Sequence, residues 1–150
     1  TGIDLVAEQI RIASGERAQF PDGPVKPRGH ALECRINAED PVTFAPWPGL
    51  ITEYHPPGGA GVRVDGGVFG GWRVPGDYDS LLVKLITYGR NRVESVARIR
   101  RALQETIIAG IRTNIPLHQR ILDDEDFIAG RLSTRFLERM AEKAAAAKRG

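Results

Sequence analysis

Between Asp40 and Asp79 the chain never runs more than six residues without a glycine or proline. A helix cannot persist through such a segment, because an interior glycine costs about 1 kcal/mol and a proline about 3 kcal/mol relative to alanine. What remains are short stretches such as LITEYH and GVRVD, set between the turn formers PWPG, PPGGAG, DGG, FGG and VPGD. Short extended runs punctuated in this way predict antiparallel hairpins, not crossover helices.

The flanks carry clearer periods. In GHALECRINAED, Leu32, Cys34 and Ile36 fall on one face and Glu33, Arg35 and Asn37 on the other, because successive strand side chains point oppositely. SLLVKLITYG reads as a further strand in which Lys84 interrupts an apolar run. Ile3, Val6, Ile10 and Ala13, after a cap at Asp4 and before Gly15, predict a short amphipathic helix. Val93, Val96, Ile99, Leu103 and Ile107 extend a helical stripe over about 91–108, and GIRTN leads into another helix with Thr113 or Asn114 as cap and Pro116 in its first turn. A last helix is expected from Ser133 onward. Its end, AEKAAAAKRG, has helix propensity but little to bury, so residues 141–150 are expected to fray. The class is therefore α+β: an antiparallel sheet built from hairpins in the first half, packed with the N-terminal helix and the helices of the second half. Residues 1–140 form the expected domain.

Composition narrows the function classes. With 41% hydrophobic and 27% charged residues among 150, one soluble domain with a real core is expected. Nineteen acids offset 21 bases and the arginines are scattered, which argues against nucleic acid. No run approaches the roughly 18 apolar residues of a membrane span. A lone cysteine, Cys34, excludes an internal disulfide and fits a reducing, cytoplasmic location. It lies on the apolar face, so a packed, inert thiol is expected. The chain opens at Thr1 without methionine and enters a helical pattern at once, which reads as a piece of something longer. PPGGAG lacks the lysine and hydroxyl residue of a P-loop. His30, His55 and His118 stand far apart without metal-ligand spacing, so no metal site is expected.

Two readings of the remaining charged residues stand side by side. In the first, Arg35 pairs with Glu33 or Asp79, and Lys84 with another acid, in salt bridges that hold the sheet. Asp79 is the partner expected for Lys84, and removing one member of such a buried pair costs roughly 3–5 kcal/mol. In the second, Arg35 projects from a rigid strand toward a ligand, its planar fork matching an oxyanion while nearby carboxylates orient it.

RGHALECRINAEDP, then PWPG, YDSLLVKLITYG, RIRRALQE and GIRTNIPLHQRIL resemble, in order and spacing, the C-terminal domain of biotin carboxylase, the ATP-grasp component of acetyl-CoA carboxylase and related enzymes. The resemblance covers about residues 1–140. It implies that Arg35 faces the ureido ring of biotin and stabilises charge on its oxygen, with Glu33, Asp79 and Lys84 as supporting groups. It implies MgATP and bicarbonate as co-substrates, bound mainly by domains upstream of Thr1. Biotin would arrive on a biotin carboxyl carrier protein, and a carboxyltransferase would complete the reaction. Thr134 corresponds to a position that touches adenine in some relatives, and Arg63 to an arginine of the homodimer surface. Where relatives have VPPYYDS this chain has VPGDYDS, and Ala60 replaces a common phenylalanine beside Arg63. Propionyl-CoA and pyruvate carboxylases carry close variants of ECRINAEDP. A non-catalytic interaction domain of the same fold is the alternative of another class, disfavoured by the intact Glu33, Arg35 and Asp79. ECRINAEDP also argues against a purine-biosynthetic ligase.

Overall fold

The computed structural model describes residues 1–20 and 23–147. In chain order its elements are α1 (Leu5–Ala13), β1 (His30–Asn37), β2 (Gly49–Leu50), β3 (Glu53–His55), β4 (Val62–Gly66), β5 (Arg73–Val74), β6 (Leu81–Gly89), α2 (Arg92–Glu105), β7 (Ile107–Ala109), α3 (Ile115–Asp123), α4 (Glu125–Ile128) and α5 (Phe136–Ala147). Every strand pair is antiparallel. The class is α+β, as expected.

The main sheet has the order β1-β6-β4, so β6 is central and β1 is an edge. Val83, Leu85 and Thr87 on one face of β6 are buried, while on the opposite face Leu82 is buried near the strand's start and Lys84 and Ile86 are half-buried. α2 covers the inner face with Val96, Ile99 and Leu103, which meet Cys34, Ile36 and Leu85 in the core. Its start is capped reciprocally: the Asn91 side chain accepts from Glu94 N at 2.9 Å, and the Glu94 carboxylate accepts from Arg90 N at 2.8 Å. Thr87 and Ser95 are fully buried where β6 turns into this helix, and Thr87 Oγ1 donates to the Ser95 carbonyl at 3.1 Å. A side chain at Gly89 would put its Cβ 2.6 Å from Ser95 N, so this close approach requires glycine.

The expected hairpins are not what forms. β2 pairs with β5, β3 with β7 and β4 with β6, so the strands of the turn-rich segment find partners beyond their sequence neighbours. For β3 the partner is β7, whose first residues continue the apolar stripe of the preceding helix. α2 stops at Glu105, Thr106 Oγ1 bonds back to the Ala102 carbonyl at 2.7 Å, and Ile107 leaves the helix to pair with His55.

The N-terminal helix forms as expected, with Asp4 Oδ1 accepting from Ala7 N at 3.0 Å. It does not pack as expected: Leu5, Val6, Ile10 and Ile12 are exposed, and Glu8 is the residue it buries. Glu8 accepts from Arg11 Nη1 at 2.5 Å and from Gln19 N at 2.7 Å, folding the following segment back on the helix. At the other end α5 starts at Phe136, whose N–H bonds the Ser133 carbonyl, and its helical bounds reach Ala147, within the segment expected to fray. The remainder of the expected frayed tail, 148–150, lies outside the described residues. Among the described residues no helix is long and apolar enough to cross a membrane.

Candidate functional site

Alternation along β1 turns Glu33 and Arg35 outward, both exposed, and Cys34 and Ile36 into the core. Burial pushes the Cys34 thiol up to about 12, with the neighbouring Glu33 charge adding to the effect, so it is protonated and inert, as its place on the apolar face suggested. Residues directly opposite in an antiparallel pair share a face. Arg35 is opposite Lys84, and Lys84 opposite Asp65, so these three form one row across the outer face. Glu33, Ile86 and Arg63 form the next row.

Within this face the acid beside Lys84 is Asp65, not Asp79. Arg63 grips Asp65 bidentately, Nε to Oδ1 and Nη2 to Oδ2, both at 2.7 Å. That hydrogen bonding first, and the Arg63 and Lys84 charges with it, hold the Asp65 carboxyl below its usual range. Asp79 instead accepts from Leu81 N at 2.8 Å and shapes the entry to β6. The reason is strand geometry: five residues separate Asp79 from Lys84, an odd number that sets them on opposite faces, some ~16 Å apart along the chain. Among the described residues no ion pair includes Glu33, Arg35, Asp79 or Lys84. The bridging pairs expected for the sheet do not form, and the Arg35 side chain stands exposed.

What fixes Arg35 is its own backbone, held from α3. Asn114, buried at the start of that helix, makes no side-chain cap hydrogen bond. Its side chain turns instead to the free edge of β1, where Oδ1 accepts from Asn37 N at 2.9 Å and Nδ2 donates to the Arg35 carbonyl at 3.0 Å. The backbone N–H of Asn114 adds a bond to the Asn37 carbonyl at 3.2 Å. One asparagine thus substitutes for a missing neighbouring strand, satisfying edge groups that would otherwise be left open. His118 Nε2 bonds the same Arg35 carbonyl at 3.0 Å. Its ring lines a cavity of about 190 Å³ with Leu32, Ile99, Ile121 and Phe127. This apolar surrounding lowers the imidazole pKa, while the bond to the Arg35 carbonyl acts in the opposite sense.

Thr134 is exposed in the link between α4 and α5. Arg35 and Glu33 are legible in the sequence, whereas Asp65, Asn114 and His118 become their neighbours only through the fold. Asn114 carried only the signal of a helix cap, and His118 only that of an isolated histidine.

The family described as biotin carboxylase C-terminal domain matches residues 33–139, which include all the groups around Arg35. The chain belongs to this family. It is 55% identical over 139 residues to a biotin carboxylase of Haemophilus influenzae, covering 93% of this chain and 31% of that protein. A pyruvate carboxylase subunit of Methanothermobacter thermautotrophicus is 52% identical over 139 residues, 92% of this chain and 28% of that one. Among solved structures, the biotin carboxylase domain dimer of Hydrogenobacter thermophilus 2-oxoglutarate carboxylase, in complex with ADP, its magnesium salt and bicarbonate, superposes with a TM-score of 0.86 at 44% identity. That alignment covers 93% of this chain and 31% of the other. The chain therefore spans about a third of the length of these relatives. The outer face of β1, β6 and β4 presents Arg35 and Arg63 exposed, with Lys84 half-buried between their strands.

Proposed function

We propose that this domain supplies the biotin-facing arginine of a biotin carboxylase, which uses MgATP and bicarbonate to carboxylate biotin held on a carrier protein. The observation that carries the proposal is Arg35: exposed, outward from a strand, with its carbonyl gripped by two side chains of α3. A guanidinium presented this way can meet charge that develops on the ureido oxygen when the ring nitrogen is deprotonated. A preorganised donor of this kind stabilises such charge without having to reorganise during the reaction. Glu33 and Lys84 lie on the same face and set the local field, and Asp79 shapes the strand entry. In this reading residues 1–140 act as one domain. Upstream domains bind most of the nucleotide and the magnesium, while Thr134 reaches toward the adenine. Arg63, held by Asp65, lies on the surface through which the full-length protein forms a homodimer.

The partners in this reading are a biotin carboxyl carrier protein and a carboxyltransferase, and the setting is cytoplasmic. Acetyl-CoA carboxylation, as the first step of fatty-acid synthesis, is the preferred overall role. Pyruvate is the second reading, favoured by the 52% identity to a pyruvate carboxylase subunit.

The test is Arg35→Ala in the full-length enzyme. Biotin carboxylation is expected to fall by about 10²–10³, the scale for loss of one oxyanion donor. Arg35→Lys should restore little, because a point charge on a flexible stem does not reproduce the planar fork. Biotin-independent, bicarbonate-dependent ATP cleavage should persist in both variants. Loss of both activities in parallel, with a lower melting temperature, would mean that Arg35 is structural.

A further inference from the structure

The Arg35 carbonyl receives more hydrogen bonding than the edge of a sheet requires. β1 has β6 on one side only, and the N–H and C=O of Asn37, together with the C=O of Arg35, point to the open side. Asn114 alone satisfies all three of these groups. His118, one turn along the same face of α3, nevertheless donates to the Arg35 carbonyl a second time. A carbonyl only accepts, so the proton must sit on Nε2. Both lone pairs of that oxygen are then engaged.

We infer that His118 is a positioning residue for Arg35, fixing the peptide plane that aims the guanidinium; the inference rests on the proposed biotin-facing role of Arg35. Asn114 closes the edge and belongs to the architecture. His118 is separable from it: the ring is half-buried at the wall of a cavity, and its bond to the Arg35 carbonyl adds to a group already satisfied. A carbonyl held by one donor can pivot about it, whereas two donors from successive turns of one helix prevent that rotation. The long arginine side chain magnifies any pivot at its root, and a misplacement of about 1 Å suffices to slow a reaction substantially.

The experiment is a double-mutant cycle in the full-length enzyme, reading biotin carboxylation and biotin-independent ATP cleavage on the same preparations. His118→Ala is expected to lower kcat/KM for biotin roughly 5- to 10-fold, the scale of one lost hydrogen bond, and to leave ATP cleavage intact. His118→Gln places an amide nitrogen near the position of Nε2 and should recover most of the loss. Added to Arg35→Ala, His118→Ala should produce no further decrease, because a residue that acts through another adds nothing once that other is gone. Additive losses, an equal fall in ATP cleavage, or no recovery with glutamine would each overturn the positioning role. If Arg35→Ala is selective for biotin and His118→Ala is silent, the positioning role alone fails. If Arg35→Ala spares the biotin step, the reading of Arg35 fails, and the positioning role with it.

Discussion

Asp40 shows how one side chain sets the course of a loop. Its Oδ1 accepts from Val42 N and Thr43 N, both at 2.9 Å, and Oδ2 accepts from Arg112 Nη1 at 2.5 Å. Arg112 in turn stacks over Trp47, 4.4 Å from the ring centroid, tying the loop after β1 to the approach to α3. The backbone donors of Thr43 and Val42 first, then Arg112, hold the Asp40 carboxyl down to about 2, from 3.8. A lowered folded-state pKa contributes stability that is fully present above 3.8 and is lost as pH falls toward 2. Asp40→Asn should therefore lower the urea midpoint at pH 6, and the gap to the parent protein should narrow between pH 3.8 and about 2. An unchanged gap across that window would separate the loop from the acid sensitivity of the fold.

Among the elements, β6 carries two residues whose substitution should have contrasting effects. Leu85 is fully buried beneath α2, where it meets Ile99, also fully buried. Lys84, next to it in sequence, faces the opposite way, half-buried beside an Asp65 that Arg63 already engages. The sequence suggests a buried pair between Lys84 and Asp79, whose disruption would cost roughly 3–5 kcal/mol. With Asp65 as the neighbour and its charge already met, Lys84→Ala should cost about 1 kcal/mol or less. Leu85→Ala should cost about 2–5 kcal/mol, through lost burial and the cavity left behind. Chemical denaturation of the two variants measures both, and a Lys84 effect as large as that of Leu85 would place its ammonium in a buried pair after all.

At the scale of the whole molecule, the apolar residues of α1 are left open. Leu5, Val6, Ile10 and Ile12 are each more than half exposed, while the core gathers between the main sheet and α2. Among the described residues no cluster of three or more histidine, cysteine or acidic side chains converges as a metal site would require. Phosphoryl transfer depends almost entirely on positioning and electrostatic stabilisation, much of it by metal ions. The chain spans about a third of the length of its biotin carboxylase relatives, and in isolation it is expected to bind ATP very weakly and to release no ADP. Magnesium- and bicarbonate-dependent ADP formation by the pure fragment would refute this and place nucleotide chemistry within these residues.

The outward aim of Arg35 and the burial of Cys34 were legible in ECRIN, because period-two alternation is a local property of an extended chain. So were the cap at Asp4 and the helix that follows Asn91, apart from the end of that helix, where the apolar stripe continued through Ile107 although the backbone did not. The turn-rich middle was legible as strands, but not as these pairings: local sequence limits helix length, whereas strand partners are chosen by register and burial across the fold. Asp65 became the neighbour of Lys84 through the alignment of β4 on β6, and no spacing along the chain announces that. Asn114 and His118 reach the Arg35 carbonyl from 79 and 83 residues away. The sequence by itself determined which arginine faces out and from what kind of element. Only the tertiary structure decided what holds it there, because an edge strand's open backbone groups accept whichever donors the packing of α3 brings within hydrogen-bonding distance.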